Sequence, residues 1–90
     1  MAKANVDPGE LRRFARDLNH FNAELETLMG GLHSRLQNLE KNWNDQEQRR
    51  FSSEFDQTVK TLNRFVEGST RHVSFLNKKA RLIEDYLNQK

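Results

Sequence analysis

The sequence predicts an all-α fold, an antiparallel helical hairpin of two long helices dimerising into a four-helix bundle. Three observations lead there. The composition is that of a helix former, with one Pro, four Gly and no stretch of alternating strand character in 90 residues. Two apolar stripes recur at steps of three and four, separated by the polar segment around Asn44. Folded back at that segment, the stripes mate along their length. A single domain spanning 1–90 is expected, with helices at about 8–42 and 46–88 and a turn at about 43–45.

The first helix opens at Val6-Asp7-Pro8-Gly9-Glu10-Leu11. Asp7 is placed to cap, Pro8 at the first helical position loses no needed donor, and Glu10 can reach back as a capping box. Val6 and Leu11 stand at the two ends of a hydrophobic staple. The stripe then runs Leu11, Phe14, Leu18, Phe21, Leu25, Leu28, Leu32, Leu36 and Leu39. Two consecutive steps of four at Leu28, Leu32 and Leu36 form a stutter that locally unwinds a supercoil. Gly30 and Gly31 fall inside it, but the stripe stays in phase, so one softened helix is expected rather than two.

The second helix starts after Trp43, with Asn44 or Asp45 as cap and Glu47 or Gln48 three residues on. Its stripe is Phe51, Phe55, Val59, Leu62, Val66, Ser69, Val73, Leu76, Ala80, Ile83 and Leu87. Antiparallel pairing sets Leu36 opposite Phe55, Leu32 opposite Val59, Leu28 opposite Leu62, Leu25 opposite Val66, Phe21 opposite Ser69 and Leu18 opposite Val73. The stutter then meets a matching pair of steps at Phe51, Phe55 and Val59, which keeps co-packed helices in register. The expected hairpin core is Leu18, Phe21, Leu25, Leu28, Leu32, Phe55, Val59, Leu62, Val66, Val73 and Leu76, with a surface ion pair between Glu26 and Arg64. Trp43, beside Asn44 and Asp45 in the turn, is expected to cover the open end of this core and offer its indole N–H to a turn carbonyl or water, the alternative being an exposed indole that anchors a partner.

Two helices leave their flanks wet. On the second helix, Phe65, His72, Phe75, Leu82 and Tyr86 form a row beside the main stripe, and Ala15, Met29 and part of Leu36 widen the first helix. Ile83, Tyr86 and Leu87 overrun the start of the first helix. An apolar surface of this size calls for a second hairpin, so a homodimer or a heterodimer with a related chain is expected.

Chemistry is sparse. No cysteine is present and His20, His33 and His72 share no metal-ligand spacing, so no metal or cofactor is expected. Ser52, Ser53 and Ser74 have no organised base, and no catalytic residue is assigned. With 15 basic and 13 acidic residues the surface is mixed, which disfavours nucleic acid as partner. Arg12, Arg13, Arg16, Lys78, Lys79 and Arg81 nevertheless approach one another in the hairpin register. No segment reaches the apolar length of a membrane span and the N-terminus has no signal core, so a cytoplasmic protein is expected, with any export by a route independent of a signal peptide.

The stretches VDPGELRRFARDL and NLEKNWNDQEQRRFSSEF, followed by a long amphipathic helix, resemble the WXG-motif family of early-secreted-antigen-like proteins of type VII secretion. The resemblance implies a dimeric hairpin without catalysis, acting as export substrate or adaptor, with a secretion ATPase among its partners. Trp43 matches the motif Trp, whose turn helps form a cleft with the partner's helix end. Asp45 stands where the family has glycine, and Tyr86 is followed by Lys90 where the family's export signal has an acid. A cytosolic helical adaptor that is not itself secreted is the alternative.

Overall fold

The computed structural model describes residues 6–88 as two helices, α1 (Pro8–Glu40) and α2 (Gln46–Leu87). They pack antiparallel as one hairpin measuring 70 × 23 × 14 Å. The smallest dimension is close to a single helix diameter, so the molecule is one layer thick. Its radius of gyration, 20.1 Å, far exceeds the roughly 12 Å of a compact chain of this length. A single layer cannot enclose a side chain on all sides. Consistently, none of the large side chains among the described residues is completely buried.

Local chemistry sets the helix limits, with two departures from expectation. Pro8 does occupy the first turn of α1, but the Asp7 side chain makes no capping hydrogen bond. The Asp7 carbonyl accepts instead, from the amides of Glu10 (3.0 Å) and Leu11 (3.2 Å), and Glu10 turns towards Arg13 at 3.9 Å rather than closing a capping box. At the other end the amides of Asn42 and Trp43 both bond to the Leu39 carbonyl, at 3.1 and 3.0 Å, which tightens the last turn and stops α1 at Glu40. Gly30 and Gly31 lie within an uninterrupted α1.

The seam between the helices is built differently on its two sides. On α2 it comprises Val66, Ser69 and Ala80, all buried, with Phe55, Val59, Leu62, Val73 and Leu76 half-buried between and around them. On α1 the buried positions recur every seven residues as Ala15, Asn22, Met29 and Leu36, flanked by half-buried Leu11, Leu18 and Leu25. Phe21, Leu28 and Leu32, expected in the core, are instead 49%, 66% and 49% exposed. Ala15 and Met29, expected on the flank, are the ones inside. The two rows of α1 have changed places because Leu11, Leu18 and Leu25 belong to both arcs, and the small residues Ala15, Ser69 and Ala80 allow the backbones to approach more closely than Phe would.

Polar ties hold both ends of the seam. At the turn, buried Gln48 donates from Nε2 to Glu40 Oε2 (2.9 Å) and to Ser52 Oγ (2.7 Å), and the Ser52 hydroxyl donates to the same Glu40 oxygen. At the open end Arg12 grips Glu84 with both prongs, Nε to Oε2 at 3.1 Å and Nη2 to Oε1 at 2.6 Å. This pair joins the helices where Glu26 and Arg64 were expected to; those two form no ion pair. The Arg12 hydrogen bond holds the Glu84 carboxyl below its ordinary range, against a smaller opposing effect of burial.

Candidate partner interface

Several of the large apolar residues left outside the seam gather on one side of the hairpin. Phe14, Phe21 and Leu28 each precede a buried α1 residue by one position, which puts them on one edge of the helix. Phe65 occupies the matching edge of α2, and the Phe21 and Phe65 rings meet edge to face with centroids 6.3 Å apart. Phe75, Leu82 and Tyr86 continue this edge towards the C-terminal end of α2, 63%, 57% and 74% exposed. His72 is exposed on the same side, where it lines a hollow together with Phe65 and Phe75. All five α2 residues expected at the interface are therefore at the surface.

That hollow, about 590 Å³, opens along the face between the helices. Phe14, Leu18, Phe65, Phe75 and Leu76 form its walls, Gly68 and Ser69 its floor, and Arg64 and His72 its polar rim. Ser69 is buried, and its Oγ has no hydrogen-bond partner. Asn22, in the seam, is 4% exposed and has no partner for either polar atom of its amide.

The opposite flank is polar. Arg12, Ser74, Asn77, Lys78 and Arg81 surround a shallow depression there, so three of the six basic residues expected to converge share one pocket. Arg12 in that trio is already neutralised by Glu84, and Arg13 leans on Glu10.

At the turn Trp43 is half-buried, tilted against Phe51 with ring centroids 5.9 Å apart, and Phe51 stacks on Phe55 at the same distance. The Asn44 carbonyl accepts from Arg49 Nη1 at 3.2 Å rather than from the indole. Asp45 caps α2, its Oδ1 accepting from the Gln48 amide at 2.8 Å. The residue that replaces the motif glycine thus supplies a side-chain oxygen where glycine would supply only backbone freedom.

Asn22 and the Arg12–Glu84 pair were not singled out from the sequence, and Gln48 only as a candidate capping residue of α2. Gln48 carried a signal, three residues after a candidate cap, but its reach across to Glu40 depends on the hairpin. Among the described residues no three His, Cys, Asp or Glu side chains are grouped to hold a metal, and no helix is long and apolar enough to cross a membrane.

Three structures of one protein, the secreted protein EsxB of Bacillus anthracis strain Sterne, share this architecture. The selenomethionine form is 23% identical, with 98% of this chain and 100% of that one aligned at a TM-score of 0.84. A substituted form gives 21% identity, 100% and 99% coverage and 0.82, and the wild-type crystal form 23%, 90% and 93%, and 0.78. At this identity the likeness is one of fold. No curated protein sequence matches the chain. The family described as proteins of 100 residues with WXG matches residues 3–86, which takes in both helices almost entirely and the Trp43 turn between them. With its fold, its turn and nearly its whole length accounted for in this way, the chain belongs to the WXG100 family, the small helical proteins of type VII secretion.

Proposed function

We propose that the protein is a non-catalytic subunit that pairs with a second helical hairpin, a copy of itself or a related chain, into a four-helix bundle and acts in type VII secretion as substrate or adaptor. One observation carries the pairing: the larger apolar residues of α1, Phe14, Phe21 and Leu28, are turned away from the intrachain seam, onto the side that α2 also furnishes with Phe65, Phe75 and Leu82. Area supports it. The surface is 7454 Å², whereas a compact monomer of 10.6 kDa exposes about 5,500 Å². The excess, about 2,000 Å², is more than the roughly 800 Å² per partner that a standard interface removes. The secreted EsxB, with the same fold, supports export by the same class of route.

A second reading, an adaptor that stays inside the cell, is favoured by Lys90, which stands four residues after Tyr86 where the family's export signal has an acid. Under the export reading, by contrast, the partner hairpin carries the signal for both, and a secretion ATPase meets the pair through it.

Light scattering coupled to chromatography tests the pairing, on the chain alone and co-expressed with a hairpin of the same family. Phe75→Asp and Leu82→Asp each place a charge on the proposed face without touching the seam. Both are expected to weaken association by about tenfold or more with helicity unchanged. If both variants stay fully associated, the partner uses another face. Detection in culture medium without lysis separates the two readings of export.

A further inference from the structure

The hollow at Gly68 is unexplained by the hairpin itself. Glycine inside a helix costs about 1 kcal/mol relative to alanine, so a reason for it is expected. None of the usual ones applies: the chain has no glycine at positive φ, and a Cβ on Gly68 would meet only the flexible end of Arg71, at an ordinary 3.6 Å. Neither backbone geometry nor crowding within the chain requires glycine here. What the missing side chain does is deepen the hollow, whose floor also holds the buried, unpartnered Ser69 hydroxyl. Phe14, Phe65 and Phe75 stand around it as walls.

From these features we infer that Gly68 and Ser69 form the bottom of a socket that receives a bulky side chain from a second copy of this chain. The inference rests on the pairing proposed above and adds its central contact. A second copy suits the socket because one face carries both halves of the fit. The hollow lies beside protruding Phe21, 49% exposed and edge to face with the Phe65 wall, and a two-fold axis lets each copy's protrusion enter the other's hollow. The excess surface is enough for such a dimer.

Filling the socket tests this. Gly68→Leu adds an isobutyl group at the floor, Gly68→Ala adds one methyl, and Gly30→Leu places the same bulk in α1 beside Glu26, His33 and Asn63, in a different depression. At Gly30 a Cβ would meet nothing within 4 Å. Dissociation constants come from sedimentation equilibrium, and helicity from circular dichroism at a concentration where each variant is associated. Gly68→Leu is expected to weaken self-association by about tenfold or more, as overpacking of a formed interface does. Gly30→Leu is expected to leave it within about twofold, and Gly68→Ala to raise helicity with little loss of association. If wild type dimerises and Gly68→Leu dimerises equally well, the socket is refuted while the pairing stands. A wild type that is monomeric alone but pairs with a related hairpin refutes the second copy as occupant. A wild type that pairs with neither removes the underlying reading as well.

Discussion

Asn22→Leu should make the protein more stable. Asn22 lies in the middle of the α1 seam, 4% exposed, between Ala15 and Met29 in the seven-residue recurrence, and neither its amide nitrogen nor its oxygen has a hydrogen-bond partner. Keeping an amide out of water without a partner costs about 1–3 kcal/mol in proteins. Leucine at the same place removes that cost and adds apolar contact with a seam already made of Leu18, Leu25 and Val66, offset in part by its slightly greater bulk. A net gain of about 2 kcal/mol follows, and for a chain of this length that raises Tm by roughly 8–16 °C. The measurement is a thermal melt followed by far-ultraviolet circular dichroism, at one fixed protein concentration because association shifts apparent stability by mass action. Ser69→Ala removes the other unpartnered seam group and should also raise Tm, by less. If Asn22→Leu melts at or below wild type, the amide is hydrogen-bonded in solution and the reasoning fails.

Two further outcomes follow from single side chains. Asp45→Ala removes the only side-chain hydrogen bond to the free amides at the start of α2 and should cost about 1 kcal/mol, whereas Asp45→Gly, which restores the motif glycine, should cost only a few tenths; chemical denaturation of the two variants side by side ranks them, and equal losses would mean the cap contributes nothing. Because Arg12 holds the Glu84 carboxyl low, the pair's contribution to stability is present above the ordinary carboxylate range and is lost as pH falls through the lowered value; Glu84→Gln should flatten that part of the acid-melting curve, and superimposable curves for variant and wild type would remove the pair from the acid response.

The two helices differ in how much of their packing could be read from the chain. On α2 the large apolar residues Phe55, Val59, Leu62, Val66, Val73 and Leu76 form one arc with polar neighbours, so periodicity alone pointed at the side that meets α1. On α1 the arc is wider. Leu11, Leu18 and Leu25 serve equally in a row with Phe14, Phe21 and Leu28 or in a row with Ala15, Asn22 and Met29. Hydrophobicity favoured the first row, and the hairpin uses the second. Asn22 in particular has no mark of burial in the sequence, since an asparagine on a helix is ordinarily solvated. The exposed residues Phe65, Phe75, Leu82 and Tyr86 stand out in the sequence as a surplus beside the α2 stripe, whereas Phe21 and Leu28 on α1 read as core, because a surplus cannot be told from a core without knowing how close the other helix stands.

What the sequence by itself determined is local: where each helix starts, that the chain reverses between Glu40 and Gln46, that one apolar arc runs along each helix, and that a tryptophan sits at the reversal. Caps, proline placement and a period near 3.6 act over a few residues and leave a readable trace. Only the tertiary structure decided which edge of the α1 arc packs against α2 and which stays exposed. That choice depends on the distance between two backbones, which Ala15, Ser69 and Ala80 set from opposite helices more than fifty positions apart. No window of sequence contains both.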